Sequence, residues 1–502
     1  MSYFVSKPDP FYNRTEELAA LSRAWQRPGQ GGQMAMLYGR RRLGKTYLLQ
    51  RFFAESPPKA HCYFLADQTT AVNQRQELAT QLLEALPNPG IAGLEEIAVS
   101  WNALFRYASQ ACRNRAEADG TRFGLILDEF PYLVDQSPEL PSLLQSWWDR
   151  EGLFAPLFVI LCGSQLSAMA ALGEPNAPLY GRFNAGILKL PPLRFEEVAH
   201  FYAGHTHYGL AETLIMYGIL GGTPRYHAMV DPTQPMATEV VEVLLRPQSP
   251  LENEVRFLLG SQQIREPAPY NAILGAIASG TQQYGEILNA TGVEPGSFAR
   301  YLRVLAELGW IRRELPFGET SDRRALYRVA DPFLAFWYRF LVPLASELQF
   351  SSPDRVYAER IAPRLPDYMG WHVFEEVCHQ WLQRHARERL GLSVQDAGRY
   401  WSRDGQVEID IMAKLENGTY LYGECKWSGT RPVGMSVYNA LQGKVGRLPR
   451  SEMRQEPSFV LFSTTGFMPD LEVIAENTEN RLSLVGPADF LSPIDKPFDS
   501  VG

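Results

Sequence analysis

The sequence predicts an α/β protein whose N-terminal part is built on a parallel sheet. Three observations lead there. Between residues 30 and 190, short uninterrupted apolar runs alternate with helical patterns, as expected of strands covered on both faces. A glycine-rich stretch, Gly39–Thr46, joins the first of these runs to a helix. A later run, Phe123–Leu127, ends in two adjacent carboxylates, Asp128 and Glu129. At 502 residues the chain has room for about three domains. The expected divisions are a sheet-based core over 1–194, a helical lid over 195–261, a middle module over 262–343, a linker over 344–366 and a second α/β domain over 367–502.

The strands are expected at Met34–Tyr38, Cys62–Ala66, Phe123–Leu127, Leu157–Leu161 and Ile187–Leu190. Helical patterns at Gln74–Leu86, Trp101–Arg115 and Leu140–Glu151 separate them. Residues 195–260 read as helical throughout. In the middle module, helical patterns at Ala272–Gly280, Tyr284–Ala290 and Ser297–Leu308 precede two strand-like runs, Ile311–Leu315 and Ala325–Val329. An aromatic-rich helical connector follows, and from about 367 come a helix, several strands and another helix.

Composition excludes several classes. A 45% hydrophobic fraction is enough to form cores, so disorder does not dominate. The 48 Lys and Arg against 56 Asp and Glu leave a charge of −8, which excludes a uniformly basic nucleic-acid coat but not a local basic groove. The five cysteines are scattered and form no CxxC pair, so neither a disulfide framework nor a zinc finger is expected. No apolar run approaches the roughly 20 residues of a membrane span, and the N-terminus has no signal-like apolar region. A cytoplasmic protein without a membrane partner is the expectation.

Gly39-Arg40-Arg41-Arg42-Leu43-Gly44-Lys45-Thr46 fits the pattern GxxxxGK[ST] between a strand and a helix. Glycines let such a loop wrap a phosphate, and its N–H groups and the helix N-terminus point at negative charge. Lys45 is expected at the β and γ phosphates of ATP, with Thr46 on magnesium. Asp128 is then a second magnesium ligand, and Glu129 polarises the attacking water. This is the P-loop NTPase arrangement. Ser164, after the strand Leu157–Leu161, either senses the γ-phosphate or, like Gln165, caps the next helix. Arg182 reads as an arginine finger, in cis or from another copy in a homo-oligomer, or as a surface ion-pair residue.

These residues resemble a large group of archaeal and bacterial AAA-like P-loop ATPases. Phe11–Leu18 resembles its F-x-G-R-x-x-E-L start, with Asn13 where glycine is usual. Gly39–Thr46 is similar to its GRRRxGKT loop, Leu127–Leu133 to its Walker B segment, and Gly163–Met169 to its GSSxSxM stretch, with Gln165 replacing a serine. Gly221–Tyr226 resembles a GGxPxY motif, which implies that Pro224 lies near the adenine. Many members carry a C-terminal domain of unknown function, and Tyr270–Pro343 and Gly370–Trp427 look like its two halves.

Three helices followed by two strands make the middle module a winged-helix pattern. In its DNA-reading form the third helix, carrying Arg300 and Arg303, enters the major groove. Such a module also serves as a protein-docking unit or lid, and acids are interleaved with its basic residues. Further on, Asp410 and Glu424 lie on two strands joined by a turn at Glu416-Asn417-Gly418, and Glu424 and Lys426 share a strand face. This resembles the PD-(D/E)xK signature of a restriction-endonuclease-like α/β domain, in which carboxylates hold magnesium and the lysine activates water. Glu375, on the preceding helix, resembles that fold's additional acidic ligand. Tyr438, Gln442 and Lys444 either touch a nucleic-acid backbone or coat a helix. The expected function is ATP hydrolysis coupled to binding or metal-dependent cleavage of nucleic acid, DNA more than RNA. The alternative is a regulatory switch ATPase that binds partners or DNA without cutting.

Overall fold

The structure is a computed structural model that describes residues 13–29, 31–55, 57–88, 90, 93–262, 264, 266–449, 456–477 and 481–491. Phe11 and Tyr12 of the N-terminal motif lie outside the described residues. The chain divides into two compact units, one of residues 1–191 with 258–264, the other of residues 192–257 with 265–502.

The first unit carries five parallel strands: β1 (Gln33–Tyr38), β2 (His61–Leu65), β3 (Phe123–Asp128), β4 (Leu157–Gly163) and β5 (Gly186–Lys189). Their order is β2-β3-β4-β1-β5. Strand alternation divides the core in two. Leu157, Val159 and Leu161 of β4 join a cluster with Leu104, Phe105, Leu144 and Trp147, from the helices Trp101–Asp119 and Leu140–Arg150. Phe158, Ile160 and Cys162 face the other way, toward Leu48, Phe52 and Phe53 of the helix Lys45–Ala54. Gly124 in β3 admits the Phe53 ring, which a β-carbon there would meet at 2.5 Å. Both faces are therefore filled, as the uninterrupted apolar strands require.

In the second unit, helices Phe195–Ala199, Leu210–Leu220 and Pro224–His227 come first. This region is not helical throughout: Gly221 takes φ +66° and ends the second helix, and Gly204, at φ +82°, lies in the loop before it. Helices Pro267–Ala278, Tyr284–Thr291 and Pro295–Glu307 follow, and then the antiparallel pair β6 (Ile311–Glu314) and β7 (Leu326–Val329), with Ile311 opposite Val329. The stretch 344–366 is largely helical and buries Val356, Ile361 and Leu365. The helix Glu375–Leu390 does not start afresh, because a π-helical turn, Met369–Phe374, leads into it.

A mixed five-stranded sheet completes the unit: β8 (Val394–Trp401), β9 (Glu408–Leu415), β10 (Tyr420–Lys426), β11 (Ser458–Ser463) and β12 (Leu482–Val485). Its order is β12-β11-β10-β9-β8, with β8, β9 and β10 antiparallel and β10, β11 and β12 parallel. The helix Met435–Gly446 sends Tyr438, Leu441 and Val445 into the core beside Tyr422 and Phe459. Among the described residues no helix is long and apolar enough to cross a membrane. All five cysteines are buried and unpaired.

Candidate functional site

The loop Gly39–Thr46 leaves the end of β1 and opens the helix Lys45–Ala54. Two of its residues have left-handed backbone, Arg42 at φ +68° and Gly44 at φ +90°. Alternating backbone hands turn successive N–H groups inward, which makes an anion-binding concavity. The helix has no side-chain cap and no acid in its first turn, so its N-terminus is electrostatically open to an anion. Gly39 is needed for space: a β-carbon there would lie 2.7 Å from the Leu190 carbonyl oxygen. Leu43 packs its side chain into the core and leaves only backbone to the loop. Arg40 is buried and Arg41 exposed. Lys45 is 7% exposed, and its ammonium donates to the carbonyls of Gly39 (2.8 Å) and Arg40 (3.2 Å). A buried cation resting on carbonyls inside a ring of N–H donors fits a polyphosphate.

The carboxylates arrive from β3, with β4 between it and β1. Asp128 is 3% exposed; its Oδ1 accepts the Glu129 N–H at 2.9 Å and its Oδ2 the Tyr63 hydroxyl. Tyr63 is also hydrogen-bonded to the Thr46 side chain, so one phenol links the two hard-oxygen groups expected on magnesium. Burial and the Asp128 charge raise the Tyr63 pKa. The donor set of Thr46 and Asp128 is of the kind magnesium takes. Glu129 has left-handed backbone, φ +51°. This swings its carboxylate away from Asp128 and onto Ser164, whose hydroxyl donates to Oε1 (2.8 Å) and Oε2 (2.9 Å) and whose N–H donates to Oε2 (3.1 Å).

Ser164 thus holds Glu129, and the helix Leu166–Ala171 has no side-chain cap from its first flanking residue, Gln165. Arg182 sits in the ion pair that was the alternative to a finger, reaching Asp149 through Nε (3.1 Å) and Nη2 (2.9 Å). Pro224 is the first residue of the helix Pro224–His227 in the second unit. Just before it, Gly222 packs on backbone, where a β-carbon would lie 2.0 Å from the Leu193 oxygen.

In the second unit β9 and β10 pair with Gly423 opposite Ile411, which brings Asp410 and Glu424 level beyond it. Asp410 Oδ2 accepts the Cys425 N–H at 2.8 Å. Burial, then the nearby Glu424 and Glu375 charges, hold the Asp410 carboxyl above the usual carboxylate range. Glu424, 6% exposed, accepts from Lys426 (2.8 Å) and from Lys444 through both oxygens (2.9 and 2.8 Å). Burial alone would lower the Lys426 pKa, but the Glu424 carboxylate outweighs it and raises it.

Glu375 lies near enough for its charge to raise the Asp410 carboxyl, and it also has cationic partners of its own. Its Oε2 is engaged by Arg328 (3.3 Å) and Arg399 (3.2 Å), two buried cations, of which Arg399 also reaches Glu408 at 2.9 Å. Among the described residues no three His, Cys, Asp or Glu side chains are arranged to hold a metal ion. Asp410 and Glu424 remain as a two-carboxylate centre with Lys426 and Lys444 beside it.

Several partners in these sites were not assigned from sequence. Arg14 is buried and braces the phosphate loop through the Leu43 carbonyl (3.2 Å) and the Pro191 carbonyl (2.8 Å). Asn13, where glycine is usual, takes the left-handed backbone at φ +56° that asparagine tolerates better than most residues. Tyr63 lies inside a strand that reads simply as apolar. Lys444 lies on a helix whose polar residues look like ordinary surface. The sequence signals neither the Tyr63 contact with Asp128 nor the Lys444 contact with Glu424, because each is made by packing distant in the chain.

Comparison with known proteins places the chain. Residues 11–230 match the family described as an ATPase domain predominantly from Archaea, and residues 337–436 match one described as archaeal and bacterial proteins of unknown function. Among solved structures, the Walker-type ATPase of Pyrococcus abyssi is 21% identical, with 66% of this chain and 96% of that one covered and a TM-score of 0.49. The ORC2 protein of Aeropyrum pernix, in ADPNP and ADP complexes, is 18% identical, with 68% and 97% covered and a TM-score of 0.44. An uncharacterized protein of Methanocaldococcus jannaschii is 30% identical over 424 residues, 83% of this chain and 87% of its own. The chain therefore belongs to the same family as the Methanocaldococcus jannaschii protein, and within it carries an ATPase domain of the predominantly archaeal type followed by a domain of unknown function.

Proposed function

We propose that this protein binds and hydrolyses ATP at the Gly39–Thr46 loop and couples that cycle to the handling of nucleic acid, DNA rather than RNA, by its second unit. One observation carries the ATP reading: a buried Lys45 on a phosphate-shaped loop, with Asp128 and Glu129 presented by β3 of the same sheet. In this reading the loop N–H groups and Lys45 hold the phosphates, Thr46 and Asp128 hold magnesium, and Glu129 orients the attacking water. Magnesium, when bound, neutralises charge on the phosphates. Arg182 would serve as a finger only after leaving Asp149.

For the second unit, the three helices and the β6–β7 pair are read as a winged helix, and β8–β12 with its helices as a PD-(D/E)xK-like domain. Asp410 and Glu424 would hold a divalent cation, with Lys426 beside the attacking water. The pairing of Glu375 with Arg328 and Arg399 favours a second reading, a switch ATPase whose nuclease-like domain binds nucleic acid without cutting. Of the basic residues around the wing, Arg312, Arg313 and Arg324 are matched by Glu314, Asp322 and Glu319.

The test is incubation of the full chain with plasmid and oligonucleotides, with magnesium or manganese, with and without ATP. Lys45→Ala is expected to abolish ATP turnover, and undiminished turnover would overturn the nucleotide site. Asp410→Ala and Lys426→Ala are expected to remove any metal-dependent cleavage and spare ATP hydrolysis. A wild type that turns over ATP but never cuts selects the switch reading.

A further inference from the structure

The loop that holds Glu129 is itself held by a residue far away in the chain. Gln262 follows the helix Glu254–Ser261. Its side-chain amide donates to the Ser164 carbonyl at 3.1 Å, and its amide oxygen accepts the Leu166 N–H at 3.2 Å. One side chain thus staples both ends of Ser164-Gln165-Leu166. It also supplies the acceptor that the first turn of the helix Leu166–Ala171 lacks from its own flanking residue. Ser164 in turn gives both its N–H and its hydroxyl to Glu129. Two consecutive links, Gln262 to Ser164 and Ser164 to Glu129, run along the end of β4 next to the phosphate loop.

The segment bearing Gln262 is unusual in its connectivity. Residues 258–264 pack with the first unit, while 192–257 before it and 265 onward belong to the second. Leu258 and Leu259 anchor it, at 1% and 5% exposure. Gln262 is therefore attached through a few residues to the helix that begins at Pro267, yet spends its hydrogen bonds on the loop that orients Glu129.

We infer that Gln262 is a positioning residue for ATP hydrolysis, acting through Ser164 to set the direction of the Glu129 carboxylate. This rests on the reading of Glu129 as the residue that orients water. A misplacement of about 1 Å at a reacting group can cost about 100-fold in rate. The phosphate loop itself does not depend on Gln262, since Lys45 and the loop N–H groups come from another strand connection. The inference thus separates turnover from binding.

The experiment is steady-state ATPase kinetics with nucleotide binding measured in parallel, on the full chain. Gln262→Ala is expected to lower kcat by about 10- to 100-fold with ATP affinity within about twofold of wild type. Gln262→Glu keeps the size and the acceptor for Leu166 but cannot donate to the Ser164 carbonyl. It is expected to be as slow as Gln262→Ala, whereas a packing role would leave it normal. In a Ser164→Ala background, Gln262→Ala is expected to add little further loss, because both act on one chain of contacts. Wild-type kcat in Gln262→Glu, or fully additive losses in the double variant, would overturn the inference. Glu129→Gln serves as the control for the underlying reading: undiminished turnover there removes Glu129 from the reaction whatever Gln262 does.

Discussion

Acidification from pH 7 to 5 is expected to destabilise the second unit through His227, a residue outside every proposed reaction step. His227 is 2% exposed, its Nε2 lies 2.7 Å from the Gly221 carbonyl and its Nδ1 lies 2.7 Å from the Tyr202 hydroxyl. The carbonyl can only accept, so Nε2 carries the proton and Nδ1 accepts from Tyr202: the ring is neutral. Burial lowers its pKa from 6.5 to about 4. The folded state therefore binds fewer protons than the unfolded one between those values, and stability must fall as pH falls through that window. The linkage amounts to about 2 kcal/mol at pH 5 and about 3 kcal/mol once both states are protonated. His372 and His379, also lowered by burial, act in the same direction, so the wild type is compared with His227→Gln. Urea unfolding of both chains at pH 7 and pH 5 isolates the contribution. The wild type is expected to lose about 2 kcal/mol more than the variant over that interval. Equal losses, or a His227 ring resonance titrating near 6.5 in the folded protein, would refute the reasoning.

Other outcomes follow from the same geometry. Gly222→Ala places a β-carbon 2.0 Å from the Leu193 oxygen, backbone against backbone, and is expected to destabilise by at least about 1–3 kcal/mol in thermal unfolding. Arg328→Met is expected to cost about 3–5 kcal/mol by leaving Glu375 less compensated, and Glu375→Gln in the same chain to restore part of that, measured by urea unfolding. Tyr63→Phe removes a hydrogen bond to the Asp128 carboxylate with almost no change of volume, so thermal unfolding without nucleotide is expected to show a loss of about 1.5–3 kcal/mol.

Much of the first unit was legible in the sequence because its signals are local. The cores of strands β1 to β4 are contiguous apolar runs, and the loop Gly39–Thr46 carries glycines at tight positions. The carboxylates Asp128 and Glu129 follow from the end of β3, and the middle module follows from helical periodicity and two short strands. The family resemblance drawn from these residues agrees with the match over 11–230.

What the sequence could not carry was who faces whom across long separations. Adjacent acids on one strand read as having different roles, but the sequence does not show which partners each meets: the positive φ of Glu129 sends its carboxylate to Ser164 and leaves Asp128 with Tyr63. Glu375 reads as an additional acidic ligand through its resemblance to the PD-(D/E)xK pattern, and the sequence does not show what else it meets. Only tertiary packing brought Arg328, 47 residues earlier, and Arg399, 24 later, against it, and two buried guanidinium groups require a carboxylate partner. Lys444 reached Glu424, and Gln262 reached Ser164 from 98 residues away, for the same reason. Periodicity encodes which face of an element is buried, because burial repeats along the chain. The partner of a buried polar group does not repeat, so it is decided only when the elements pack.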